Sequence, residues 1–188
     1  MNNSKTRRIA FAGVFSALMF IVMFLETYVF TFLIPLAPPA VLSLSLAITL
    51  SLFDDWKMMF FGGTVMGVCS LIVAFAIGNP VFILPWISIL PRVFIGVVAY
   101  GVSALIKKIA RKSKNKFVKQ YLSYSIGAIF GVITNTVLVL SMMLVCSLCG
   151  METVVGTFMA INFPIEVFGS AVIVPVLVNA IKRYAKKA

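Results

Sequence analysis

The chain is divided into six apolar stretches separated by short polar connections. A helix needs about 20 apolar residues to cross the hydrocarbon core of a bilayer. Hydrophobic residues make up 62% of this chain, above the roughly 45–50% of a soluble domain. We therefore predict an all-α, polytopic membrane protein, a bundle of six transmembrane helices that forms one domain over residues 1–188. The predicted helices are Ile9–Phe30, Ala40–Phe53, Met58–Ile77, Val81–Ile106, Tyr121–Leu148 and Thr153–Ile181.

The start of the second helix is open in the sequence. Residues from Phe32 onward either extend this helix or form a re-entrant loop, which would contain Pro35, Pro38 and Pro39.

The basic residues fall on one side of the predicted membrane. Six crossings place both termini and the second and fourth connections on the same side, and these segments hold 15 of the 16 Lys and Arg residues. Because positively charged loops remain in the cytoplasm, the pattern predicts that both termini are cytoplasmic. The basic cluster KKIARKSKNKFVKQ (107–120) is explained by this topology and by attraction to anionic lipid of the bilayer, so no nucleic-acid partner is expected.

The composition also limits the chemistry. The chain has no histidine, which excludes His-dependent nucleophilic catalysis and His-based zinc sites. Cys146 and Cys149 form a C-x-x-C within an apolar stretch, which we interpret as two small buried residues. No G-x-x-x-x-G-K-[ST] nucleotide-binding motif is present. We expect no enzyme activity, metal or cofactor, and we expect any driving force to come from a partner.

One basic residue, Arg92, is not explained by topology. It lies within NPVFILPWISILPRVFIGVVAYG (79–101), and ionisable residues inside membrane helices usually face the bundle interior or a cavity. We take Glu166 as the only acid deep in a span. At 1.5 Å per residue, Arg92 lies roughly 16 Å below Val81 and Glu166 roughly 20 Å below Thr153. The two can therefore pair, either as a structural salt bridge or within a binding site.

Three features favour a binding site. Asn162 lies four residues before Glu166, on the same helix face, and the fifth span adds an amide at Asn135, between Thr134 and Thr136. Prolines stand beside both charged residues, at Pro91 and Pro164. Each proline leaves the carbonyl four residues earlier without its usual donor, at Ile87 and Ala160. Because irregular backbone at membrane depth lines cavities, we predict a small-molecule pocket open to the outside.

Small residues spaced by four occur in three of the helices. This spacing lets helix backbones approach closely within a bilayer. Most such pairs serve packing within a protein, although any of them could contact a partner instead. The pairs are Gly13 and Ala17, Gly63 and Gly67, and Gly127 and Gly131.

These segments resemble the substrate-binding S components of bacterial energy-coupling factor (ECF) vitamin transporters. The resemblance covers nearly the whole chain, through RRIAFAGVFSALMF, NPVFILPWISILPRVFIGVVAYG, GVITNTVLVL and INFPIEVFGSAVIVPVLVNAI. It implies a multi-pass subunit of the bacterial cell membrane that binds a water-soluble vitamin or precursor near the outer side. The implied partners are a membrane coupling subunit (the T component) and two cytoplasmic ATPases.

The resemblance also implies roles for individual residues. The contact with the coupling subunit falls on Ala10, Gly13 and Ala17, with Gly13 in a place where the family motif has alanine. The implied substrate-binding residues are Asn79, Arg92, Asn135, Asn162 and Glu166, with Trp86 as a wall of the pocket.

The sequence leaves several vitamins open as the substrate. The series LPR…NT…N…E is most similar to the pantothenate branch. Arg92 could bind a carboxylate if Glu166 were drawn elsewhere, whereas mutual neutralisation would favour a neutral ligand such as pyridoxine or hydroxymethylpyrimidine. Riboflavin and folate are further family substrates. An alternative of another class is an autonomous secondary transporter or channel.

Overall fold

A computed structural model of the protein describes residues 3–31, 39–52, 56–110, 115–147, 160 and 162–187. These ranges contain helices and turns but no strand, so the all-α prediction is confirmed. The helices are α1 (Asn3–Thr31), α2 (Val41–Ser51), α3 (Trp56–Ile77), α4 (Pro85–Ser88), α5 (Leu90–Ile109), α6 (Lys116–Val145) and α7 (Phe163–Lys187).

Five segments are long and apolar enough to cross a membrane: Ile9–Phe30, Met58–Ile77, Pro85–Ile109, Lys119–Val145 and Phe163–Arg183. The second predicted span differs, because α2 has only 11 residues. At 1.5 Å per residue α2 is roughly 16 Å long, about half the thickness of the hydrocarbon core. Several predicted positions lie outside the described residues, namely Phe32, Pro35, Pro38, Phe53, Leu148, Cys149 and Thr153.

The short helix α2 forms the centre of the bundle. All its residues from Ser43 to Ser51 are buried, and it contacts α1, α3, α5, α6 and α7. Its serines are compatible with this position because they bond to its own backbone: Ser45 Oγ donates to the Val41 carbonyl at 2.6 Å and Ser51 Oγ to the Ala47 carbonyl at 2.8 Å. The outer helices instead expose many large apolar side chains, as expected of a surface that faces lipid.

The fourth predicted span is not one continuous helix. After α3 the chain turns at Gly78, whose φ of 78° lies in the left-handed region that glycine tolerates. Asn79 then stabilises the turn, because its Oδ1 accepts a hydrogen bond from the Val81 N–H at 3.1 Å. The one-turn helix α4 ends at Ser88, and α5 begins at Leu90 with Pro91 in its first turn. The continuous helix from Val81 that underlies the estimated depth of Arg92 is therefore absent, whereas the predicted break beside Pro91 is present.

Two of the small-residue pairs serve packing within the bundle. A Cβ on Gly63 would collide with the backbone carbonyl oxygen of Arg92, and one on Gly67 would lie 2.8 Å from the Ile89 Cα. A Cβ on Gly127 would lie 2.7 Å from the Ala99 carbonyl oxygen of α5. By contrast, a Cβ on Gly13 would have no atom of the described structure within 4 Å.

The contact at Gly63 leads to a stability prediction. Gly63→Ala should lower the free energy of unfolding by about 1–3 kcal/mol or more, because backbone atoms of α5 must move to admit the methyl group. The matched control is Gly101→Ala, since Gly101 is exposed and has no described atom within 4 Å of an added Cβ. Thermal unfolding in detergent measures both variants. Equal midpoints for the two would contradict the close contact between α3 and α5.

Candidate substrate-binding site

A cavity lies where α1, α3, α5 and α6 meet the first residues of α2 and α7. Its volume is about 70 Å³, more than a single water molecule requires. The cavity combines apolar walls with amide, hydroxyl and charged groups, as ligand sites usually do. Its described lining residues are Met23, Thr27, Ala40, Met66, Ser70, Val73, Ala74, Asn79, Phe82, Arg92, Asn135, Thr136, Val139, Asn162, Phe163 and Glu166.

Arg92 reaches this cavity from the first turn of α5 and is 6% exposed. Its Nη1 donates to the Ser88 carbonyl at 2.6 Å and to the Ile87 carbonyl at 3.4 Å. Ile87 is the residue whose carbonyl Pro91 leaves without an α-helical donor. The guanidinium carbon also lies 5.1 Å from the centre of the Phe82 ring, within the range of a cation–π interaction. Within the described structure, the buried Nε of Arg92 has no hydrogen-bond partner.

Glu166 reaches the cavity from the first turn of α7, where the helix dipole favours a negative charge. One carboxylate oxygen accepts a hydrogen bond from the Ala40 N–H at 3.0 Å. Arg92 attracts Glu166 electrostatically, but in the described structure the hydrogen bonds of the two side chains go to different partners. The sequence suggested that Arg92 and Glu166 pair directly. In the described structure each side chain bonds instead to backbone groups, and both line the same cavity.

Three asparagines supply amide groups around the same space. Asn79, Asn135 and Asn162 are 8%, 8% and 5% exposed. Asn79 comes from the turn after α3, Asn135 from the middle of α6, and Asn162 from the residues just before α7. The Oδ1 of Asn135 is buried and has no hydrogen-bond partner among the described residues. It can therefore accept a hydrogen bond from a bound molecule.

Five of the six residues assigned to substrate binding line this cavity: Asn79, Arg92, Asn135, Asn162 and Glu166. The sixth, Trp86, does not. It lies on α4, its side chain is 52% exposed, and it is not part of the cavity lining. Two aromatic residues do line the cavity, Phe82 in the turn before α4 and Phe163 at the start of α7. Trp86 therefore does not form a wall of the cavity in the described structure.

The sequence reasoning also missed Glu26. We expected Glu166 to be the only deep acid, but Glu26 lies in α1 and is 7% exposed. Its two carboxylate oxygens accept hydrogen bonds from the Leu42 N–H at 2.6 Å and the Ser43 N–H at 2.9 Å. The available signal was its place within the first apolar stretch, Ile9–Phe30, where any ionisable residue requires a partner.

A family model described as "ECF transporter, substrate-specific component" matches residues 7–182 of the chain. The chain belongs to this family. This ECF S component is therefore a membrane-embedded, substrate-binding subunit of a bacterial transporter and not an enzyme. S components in general work with a T component and ATPases. No curated protein and no solved structure matches the chain significantly.

Proposed function

We propose that this S component binds a small water-soluble vitamin that carries a carboxylate, with pantothenate as the lead substrate. It binds the vitamin in the cavity around Arg92 and delivers it into the cell together with an ATP-driven ECF module. The observation that carries the proposal is the state of Arg92, a buried cation whose hydrogen bonds go to backbone carbonyls.

The surroundings of Arg92 support an anionic ligand. Two carbonyls and an aromatic ring stabilise the guanidinium without cancelling its charge, and its Nε still has a hydrogen to donate. Glu166 accepts its hydrogen bond from the Ala40 N–H. Because this carboxylate is held away from Arg92, the guanidinium can bind a carboxylate of the substrate. A carboxylate in the cavity would form a short, charge-assisted hydrogen bond to this group.

The remaining lining suits the rest of pantothenate. The molecule has two hydroxyls and an amide, and the free Oδ1 of Asn135 can accept a hydrogen bond from either kind of group. Its two geminal methyl groups require an apolar wall, which Met23, Val73 and Val139 provide. The modest size of the cavity, about 70 Å³, also favours a small vitamin over the larger riboflavin or folate.

The proposal is tested by measuring ligand binding to the purified chain with isothermal titration calorimetry. We expect pantothenate to bind, and panthenol, in which a neutral alcohol replaces the carboxylate, to bind about tenfold or more weakly because it lacks the charge-assisted hydrogen bond. Pyridoxine, hydroxymethylpyrimidine, riboflavin and folate complete the panel. Equal binding of pantothenate and panthenol, or tight binding of a neutral vitamin alone, would contradict a carboxylate substrate.

We also propose the topology and the coupling surface of the subunit. As a single domain with six crossings, it has both termini in the cytoplasm. The coupling-subunit contact comprises Ala10, Gly13 and Ala17, which are exposed on α1. Supporting this, α1 packs mainly against α2 and α3, so one of its sides is left for a partner.

Transport measurements separate this function from an autonomous secondary transporter or channel. In proteoliposomes that contain the chain alone, we expect vitamin binding but no concentrative uptake. Uptake should require the T component, both ATPase subunits and ATP. Concentrative uptake driven by an ion gradient with the chain alone, or passive flux through it, would support the alternative class instead.

A further inference from the structure

The helix α2 begins without a cap of its own. The first N–H groups of a helix have no partner within the helix, and a Ser, Thr, Asp or Asn at the N-cap position usually accepts a hydrogen bond from one of them. In α2 this position is occupied by Ala40, whose methyl side chain has no acceptor and makes no capping hydrogen bond. Other parts of the protein must therefore satisfy the start of this buried helix.

Two carboxylates from distant helices provide the missing cap. Glu26 of α1 accepts the Leu42 N–H at 2.6 Å and the Ser43 N–H at 2.9 Å. Glu166 of α7 accepts the Ala40 N–H at 3.0 Å. In a capping box, the N-cap side chain accepts a hydrogen bond from the N–H three residues later, and a Glu or Gln at that later position accepts one from the N-cap N–H. Here side chains of two other helices accept these hydrogen bonds instead, Glu26 at Leu42 and Ser43 and Glu166 at Ala40. We call this arrangement the shared cap.

The shared cap connects Glu26 to the charge balance of the cavity. Arg92 and Glu166 line the same cavity, and opposite charges attract strongly where water is excluded, so a Glu166 carboxylate released from Ala40 can move toward the guanidinium. The Ala40 N–H opposes this movement, but it can do so only while the start of α2 keeps its position. Glu26 holds that start through the two neighbouring N–H groups, although its own contacts are with Leu42 and Ser43 rather than with Arg92.

We infer that Glu26 is a positioning residue for substrate binding, which acts through Ala40 and Glu166 to keep Arg92 available for the substrate carboxylate. When Glu26 is lost, the start of α2 shifts, Glu166 leaves Ala40 and its carboxylate neutralises Arg92. The fraction of molecules competent to bind a carboxylate then falls, and the apparent Kd rises by the same factor. This inference rests on the proposed function for its ligand, whereas its structural part can be tested without any ligand.

The ligand-free test is hydrogen exchange of single backbone amides in the detergent-purified full chain, with Glu26→Gln as the variant. The amide NH₂ of glutamine cannot accept a hydrogen bond, so Leu42 or Ser43 exchanges faster on any account. The Ala40 amide is decisive, because its acceptor Glu166 is unchanged. We expect the exchange rate of the Ala40 amide to rise about tenfold or more above its wild-type value. Unchanged protection of Ala40 would overturn the inference.

The ligand test is a double-mutant cycle on the Kd of pantothenate. In the wild-type background, Glu26→Gln should raise Kd about tenfold or more. In the Glu166→Gln background the same change should have an effect of less than about threefold, because a neutral residue 166 cannot neutralise Arg92. If Glu26 only stabilised the fold, its loss would weaken binding equally in both backgrounds, and that result would refute the positioning role.

The two proposals fail in different ways. If the wild-type chain does not bind pantothenate, the proposed substrate is wrong, and exchange at Ala40 alone decides whether Glu26 positions Glu166.

If Glu26→Gln does not yield folded protein, the exchange experiment uses Glu26→Asp instead. The shorter carboxylate cannot span both N–H groups, so the same increase at Ala40 is expected with a smaller magnitude. Wild-type exchange at Ala40 in a folded Glu26→Asp protein that has lost protection at Leu42 or Ser43 would refute the inference.

Discussion

Arg92→Ala is expected to weaken pantothenate binding about 100-fold or more while leaving the protein folded. Removing one partner of a buried, hydrogen-bonded charge pair costs about 2–5 kcal/mol, and each 1.4 kcal/mol is a factor of ten. The loss should be large because the substrate carboxylate would enter a desolvated cavity without a positive charge to meet it. Calorimetric titration of the purified variant measures the effect, with thermal unfolding as the test of folding.

Panthenol provides the control for Arg92→Ala. Because the neutral analogue has no carboxylate, its weaker binding should change by only a few-fold in this variant. Arg92→Lys is a second comparison. A lysine ammonium lacks the planar fork that bonds the Ile87 and Ser88 carbonyls together with a substrate, so we expect only partial recovery. If Arg92→Ala retains wild-type affinity for pantothenate, the arginine has a purely structural role.

Gly13→Leu is expected to prevent stable assembly with the coupling subunit and to leave the Kd for pantothenate unchanged. A leucine on α1 would hold the two helix backbones apart where small residues let them approach closely. Within the described part of the chain, a Cβ at this position has no atom within 4 Å, so we expect the subunit itself to accommodate the substitution. Co-purification of the tagged S component with the T component and the ATPases measures assembly.

Gly101→Leu is the matched control for this substitution. Gly101 is also an exposed glycine on a membrane helix and has no described atom within 4 Å of an added Cβ, but it lies on α5 and not on the proposed contact. Its substitution should leave both assembly and binding intact. If Gly13→Leu and Gly101→Leu assemble equally well, the coupling surface lies elsewhere. A loss of vitamin binding in Gly13→Leu would indicate that Gly13 packs within the subunit.

Many of the residues that line the cavity could be predicted, because polar side chains within membrane helices usually face the bundle interior or a cavity. Once topology accounts for the other basic residues, Arg92 must face the interior. The same reasoning applies to Asn135, Asn162 and Glu166, all of which line the cavity. The predicted spans Ile9–Phe30 and Met58–Ile77 lie within the helices α1 and α3, because their hydrophobic stretches have clear ends.

The remaining features depend on tertiary contacts that no local pattern specifies. Trp86 lies outside the cavity because the chain forms turns and a single helical turn before α5, and these set the direction of its side chain. Arg92 bonds to carbonyls that the helix break exposes, an alternative to Glu166 that charge counting does not consider. Glu26 bonds to the first turn of α2, where the N-cap residue Ala40 has no side chain that could form a capping hydrogen bond.

The shortness of α2 also bears on how the protein is made. The machinery that inserts membrane proteins recognises long apolar helices, and α2, with its 11 residues, falls below that length. Its residues from Ser43 to Ser51 are buried among the other helices, so we expect α2 to reach its place as these helices assemble around it. Ala40, at its start, is part of the cavity. Ligand binding during biosynthesis should therefore begin only when the last helix is in place, which makes binding a reporter of completed assembly.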